Sequence, residues 1–232
     1  MENEVIKMAM KLVEGKEIRV PGGAVPEGQC RQGALGRLDG MGWRAFQRMP
    51  QCEKLALLSN ARAEMGNIDK AISTASKGLV ITSESDIHYV TASERYLYRD
   101  NAWAGIALAL AKEGKFEEAL KMSRKQVFTG YRKGKTLAGV AVEMSRFGAT
   151  TLQLKPIFDE AISAASHTDE HGQFPYAAIA HIAIDMARAG LSGEAIETVR
   201  SISEPGLGYL REEALKAIVV ALVEKIRGGG LD

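Results

Sequence analysis

"NAWAGIALALAKEGKFEEALKMSRK", residues 101–125, holds the pattern that decides the fold. Alanines crowd its first half, Gly114 splits it, and glutamates follow the glycine. The arrangement recurs. Helix-like runs end at Gly66, Gly114, Gly148, Gly190 and Gly228, at gaps of 48, 34, 42 and 38 residues. Seven residues before each glycine stand Ser59, Ala107, Ala141, Ala183 and Ala221. Eight before stand Leu58, Ile106, Val140, Ile182 and Val220, and eleven before stand Leu55, Trp103, Leu137, Ile179 and Ala217. Four before stand Arg62, Leu110, Met144, Met186 and Glu224. These offsets share one face of an α-helix. The small residue on that face lets a second helix approach closely. The glycine supplies the left-handed residue that ends the helix.

The text after the glycine predicts the second helix. Five residues after Gly66, Gly114 and Gly190 come Ala71-Ile72, Ala119-Leu120 and Ala195-Ile196, preceded by Asp69, Glu117-Glu118 and Glu194. Carboxylates in a first turn favour a helix N-terminus through the macrodipole. Each unit therefore reads as helix, short turn, helix. The third unit departs from the pattern. Gln153 stands where the small residue belongs, and "EAISAAS" at 160–166 matches "KAISTAS" at 70–76 eight residues late. Pro156 is expected at the first position of that delayed helix. An insertion at roughly 80–100 is expected to lengthen the next first helix by several turns.

Composition fits this reading. The chain has 232 residues, 46% hydrophobic and 25% charged, with only 6% aromatics. An Ala-, Leu- and Ile-rich chain favours helices over strands. Lys and Arg number 30 against 29 Asp and Glu, a net charge of +1. That balance disfavours nucleic acid, whose binders show a basic excess or stripe. Cys30 and Cys52 form no CxxC pair, so a reducing compartment is expected. "MENEVIKMAMKLVEGK" lacks the basic start and apolar run of a signal peptide, and the chain has no uninterrupted apolar run of spanning length. The expectation is a cytoplasmic protein with no membrane insertion.

Residues 51–228 resemble the tetratricopeptide repeat. The resemblance rests on Trp103 or an aliphatic residue at −11, an aliphatic at −8, a small residue at −7, the turn glycine and Ala at +5. Residues 101–134 are the best copy and have the family's length of 34. The family's usual proline after the second helix is missing. The resemblance implies an all-α fold, a right-handed α-solenoid of about four to five helical hairpins, over residues 51–232. Residues 1–50 read separately: a helix over 2–14, then a glycine-rich irregular cap. "GMGWRAFQRM" is expected to cover the first repeat, and "EEALKAIVVALVEKIRGGG" to form the C-terminal cap.

In such arrays the first helices line a concave face that binds a peptide or partner helix. The resemblance assigns that face to positions −10, −6, −3 and −2. The tens are Ala56, Ala104, Ala138 and Ala180; the threes are Ala63, Ala111, Ser145 and Ala187. The candidate partner-binding residues are Asn60, Leu108, Val142 and Ile184 at −6, Lys112, Arg146 and Arg188 at −2, and His181 beside them. Of the Lys, Asn and Arg clamp that holds a C-terminal carboxylate in one subset of the family, only Asn60 remains. The face reads apolar at its floor and basic along one rim, which suits an acidic amphipathic helix. The competing reading is that the same Ala and Leu pack against the next unit.

Other chemistry is thin. "SHTDEHG" at 166–172 brings His167, Asp169, Glu170 and His171 together, but before Pro175 it reads as a polar turn rather than a metal site. "GYRKGK" at 130–135, with Tyr131 beside Arg132, Lys133 and Lys135, reads as a solvated basic inter-repeat turn, with a phosphate or acidic-peptide contact as the alternative. The glycine-rich segment has neither GxxxxGK nor GxGxxG. No GxSxG or HExxH occurs, and Cys30 and the isolated His88 have no catalytic context. No cofactor is expected. The leading expectation is an interaction module rather than an enzyme. A regulator that senses a small ligand or peptide, and an enzyme on a helical-repeat scaffold, are the alternatives.

Overall fold

The computed structural model describes residue 46 and residues 49–80, 92–166, 175–202 and 207–228. The expected helix at 2–14, the glycine-rich cap, Cys30, His88 and the His167–His171 cluster lie outside them. The described residues contain helices and no strand. The helices are α1 Gln51–Glu64, α2 Ile68–Val80, α3 Ala92–Lys112, α4 Phe116–Gln126, α5 Gly130–Arg146, α6 Thr151–Ser166, α7 Pro175–Arg188, α8 Ser192–Arg200 and α9 Gly208–Gly228. The all-α expectation holds. The chain divides into two compact units, Met1–Ala109 and Leu110–Asp232, with the division inside α3.

Four turns carry the periodicity. Gly66, Gly114, Gly148 and Gly190 have φ of 76°, 77°, 88° and 96°. Each turn makes the same two bonds. The glycine N–H donates to the carbonyl three residues back, at Ala63, Ala111, Ser145 and Ala187. The next N–H donates to the carbonyl at −4, at Arg62, Leu110, Met144 and Met186, over 2.9–3.0 Å. This is the Schellman arrangement, and it satisfies carbonyls that the helix end would otherwise leave unpaired. An L side chain in the left-handed region is strained, so the recurring glycine has a backbone cause.

The first unit holds the α1–α2 hairpin. Ser59, the small residue at −7, donates its hydroxyl to the Ala71 carbonyl at 2.9 Å. The hairpin contact thus pairs the −7 and +5 positions. In α3, Trp103, Ile106 and Ala107 are buried as the offsets require. The lengthening expected from the insertion is present: α3 has 21 residues.

In the second unit α5 pairs with α6 and α7 with α8; α5 and α9 lie against α7, α4 against α5, α6 against α7, and α8 against α9. One continuous core runs through them, from Leu137 and Phe158 through Ile182 and Met186 to Ile218. Arg124 of α4 holds Glu160 of α6 through two bonds of 2.9 and 2.7 Å. This exposed pair adds little stability.

Three expectations need correction. Pro156 is not at a helix start; it lies inside α6, which begins at Thr151. The start is fixed instead by Gln153, whose Oε1 accepts the Thr150 N–H at 2.9 Å while its own N–H donates to the Thr150 carbonyl. The same Oε1 accepts the Thr150 hydroxyl at 3.2 Å, and this side-chain cap, the glutamine half of a capping box, explains the out-of-place Gln153. The small residues still do their work eight positions late: a Cβ on Gly134 would sit 2.6 Å from the Ala161 carbonyl oxygen and 2.9 Å from the Ala165 Cβ. Second, "GYRKGK" is not a turn but the opening of α5. Third, the copy counted back from Gly228 is out of register: Val220, at −8, is 56% exposed, where its four counterparts are fully buried. Helix α9 turns Ala214, Ile218 and Ala221 inward instead.

Candidate partner-binding face

The eight candidate residues are divided between the two units. Asn60 and Leu108 belong to the first unit, the other six to the second. Both Asn60 and Leu108 are half-buried. The Asn60 amide lies directly over the Gly105 Cα, where any Cβ would collide with it, and its Oδ1 is buried without a hydrogen bond. Asn60 is therefore a packing residue between α1 and α3, not a displayed clamp.

The apolar floor is also revised. Val142 is only 8% exposed and sits in the core of the second unit. Ala56, Ala138 and Ala180 at −10, and Ala63, Ala111 and Ala187 at −3, are buried as well. Small residues at these positions let neighbouring helices approach, so most of the expected floor is core. Ile184 stays half-buried, and His181, Arg188, Arg146 and Lys112 are exposed.

The basic rim is partly neutralised. Arg146 bonds Glu143 at 2.7 Å and Arg188 bonds Asp185 at 2.9 Å. Both acids lie three residues earlier on the same helix, one position before the −4 residue of the repeat. The spacings Glu143-x-x-Arg146 and Asp185-x-x-Arg188 were legible in the sequence as helical ion pairs.

What remains is a mixed surface where α5 meets α7. Tyr131 opens it, packed against the core, with the Lys135 Nζ 5.4 Å from its ring centroid and the Arg132 guanidinium at 5.7 Å. Lys135 also acts on both His181 and Asp185 of α7. Tyr131 and Lys135 belong to the "GYRKGK" stretch, which the sequence places in a turn with an acidic-peptide or phosphate contact as the lesser reading; on a helix, Lys135 falls on the face that meets α7.

Burial, and then the Lys135 charge, push the His181 imidazole below its usual 6.5, while Asp185 pulls more weakly the other way. Burial raises the Asp185 carboxyl above 3.8, although the Arg188 hydrogen bond opposes it. For His181 the unfolded chain binds the proton more readily, so this group's contribution falls as pH drops through about 6.5. Asp185 has the opposite sign: folded, it keeps its proton to higher pH, so acidification toward 3.8 adds stability. The imidazole titrates nearer neutrality. The urea midpoint should therefore fall less between about pH 7.5 and 5.5 in His181→Gln than in the wild type. Parallel curves for the two proteins would contradict this environment for His181.

A recess lies within the first unit, lined by Cys52, Leu55, Ala56, Tyr98 and Arg99 among others. Burial, and then the Glu53 carboxylate to which it hydrogen-bonds, push the Tyr98 phenol up to about 12. It stays protonated at neutral pH, a hydrogen-bond donor rather than a base. Among the described residues no group of three or more His, Cys, Asp or Glu is placed to hold a metal ion, and no helix is long and apolar enough to cross a membrane.

No protein-family model matches this chain, and no curated protein or solved structure is significantly similar to it.

Proposed function

We propose that this chain is a tetratricopeptide-like helical-repeat protein that binds a protein segment across the α5–α7 surface of its second unit. Two observations support the repeat reading: the four identical glycine turns, and the second unit's neighbour pattern, in which α5, α7 and α9 lie side by side while each of α5 and α7 holds its own partner helix. In a right-handed solenoid that pattern repeats along the array.

One observation carries the binding reading. Exposed His181 and Arg188 flank half-buried Ile184 on α7, with Lys135 and Tyr131 beside them on α5. An aliphatic and an aromatic contact framed by charges suits a segment bearing one apolar anchor and acidic neighbours. Lys135 and Arg188 would attract such a segment, and Ile184 would hold it. The partner is smaller and more polar than the helix that an open apolar groove would take, because Val142 and the alanines are already packed.

The test uses the full chain as bait in its native extract, with variants on this surface. Lys135→Glu with Arg188→Glu should weaken capture at least about tenfold and flatten its salt dependence. Ile184→Asn should shorten the lifetime of the complex with little change in salt slope. Unchanged capture by all three variants would remove the site from this surface. A small molecule carried stoichiometrically through native mass spectrometry, with no protein captured, would favour the ligand-sensing reading instead.

A further inference from the structure

The last helix leaves an apolar strip facing outward. Helix α9 buries Ala214, Ile218 and Ala221 against α7 and α8. On the opposite side Val219, Val220 and Val223 are 58%, 56% and 39% exposed. Three β-branched aliphatics within two turns are unusual on a solvated helix face, and a contiguous apolar strip of this kind marks a contact surface. Charges border the strip, with exposed Glu224 one turn after Val220 at its edge. Glu212 and Glu213 lie toward the N-terminal end, with Lys216 held between them at 2.8 and 3.4 Å. Arg227 lies on the same face at the C-terminal end and is exposed.

We propose that this face pairs with the same face of a second copy of the chain, the two α9 helices running antiparallel about a two-fold axis between Val219 and Val220. The register follows from the positions. With that axis, Val219 meets the second copy's Val220, Lys216 lies alongside its Val223, and Glu212 faces its Arg227. The valines then cover one another and Glu212 meets an opposite charge, as an isologous contact requires, while exposed Glu213 and Glu224 stay at the edges of the seam. A parallel pairing would set Glu212 against Glu212 and Arg227 against Arg227, and the like charges reject it. The stem of Lys216 can cover Val223 while its ammonium stays with Glu212 and Glu213. Helix α9 has 21 residues, so one such crossing falls at the small end of specific interfaces, and the association should be micromolar or weaker. The proposal does not depend on what binds the α5–α7 surface.

Sedimentation equilibrium of the full chain from about 5 to 500 µM tests it. The wild type should pass from monomer to dimer across that range. Val220→Glu, occurring twice per dimer, should raise the dissociation constant about a hundredfold. Its circular dichroism melt should stay close to the wild type's, because Val220 is exposed in the monomer; Val219→Ser is the second variant should it not. Glu212→Arg and Arg227→Glu should each weaken the dimer by at least about fivefold, and the double variant should recover most of the loss. A monomer at every concentration overturns the proposal, as does a dimer indifferent to Val220→Glu. A dimer weakened by each charge reversal but not rescued by the pair overturns the antiparallel register.

Discussion

Gly134→Ala is expected to destabilise the protein by about 1–3 kcal/mol, although alanine is the better helix former. In an open helix the substitution gains roughly 0.5–1 kcal/mol. At Gly134 the new Cβ would lie 2.6 Å from the Ala161 carbonyl oxygen, 2.9 Å from the Ala165 Cβ and 3.2 Å from the Ile182 Cδ1. The first of these is backbone and the second cannot rotate away. Helix α6 must therefore shift off α5, and the core between α5, α6 and α7 loosens with it. Gly193→Ala is the control. Gly193 sits in the first turn of α8 with nothing within 4 Å of its would-be Cβ, so that variant should gain up to about 1 kcal/mol. Urea midpoints moving in opposite directions for the two variants, at unchanged slope, are the expected result. A stabilised Gly134→Ala would mean that α5 and α6 do not cross at this contact.

How far the residues alone revealed this depends on which physical signal they carried. The glycine turns were fully legible, because a left-handed C-terminal residue is a backbone requirement that few residue types meet and the −7, −8 and −11 positions travel with it. The start of α6 was not. Pro156 suggested a first-turn position, yet the Gln153 side chain caps the Thr150 N–H and the helix starts one turn earlier, and the small-residue contact slides to Ala161. Two local signals competed, and only the packing of Gly134 decided between them. The site was less legible than the fold. Offsets from Gly148 and Gly190 told which helix face Val142, Ala138 and Ala180 occupy, but not how deep they lie, since depth depends on how closely the neighbouring helix approaches. Arg146 and Arg188 read as a basic rim when counted by position across repeats; counted along one helix, each has an acid three residues back. Asn60 resembled a clamp residue, and only the nearby Gly105 backbone shows that its amide is spent on packing.

Ala119→Glu is expected to cost at least about 3 kcal/mol. Ala119 is fully buried on α4, and the new carboxylate would displace packed neighbours and lose its water without a partner. Its neighbour Glu118 is exposed, so a one-residue error in the α4 register would turn the same substitution nearly neutral. The equivalent pair on the other side of the Gly114 turn is Ala111 and Lys112. The repeat resemblance puts Ala111 on an open concave face, where a glutamate would be tolerated. In the structure Ala111 is fully buried, while Lys112 is exposed. Ala111→Glu should therefore lower the thermal midpoint about as much as Ala119→Glu does, and Lys112→Glu should change stability by no more than about 0.5 kcal/mol. If Ala111→Glu instead behaved like Lys112→Glu, the last turn of α3 would be rotated toward solvent, and the concave face would be open there. Because Gly114 fixes the phase of both helices through its bonds to Ala111 and from Lys115 to Leu110, that rotation would have to break the turn. Gly114→Ala, strained at φ 77°, would then cost little.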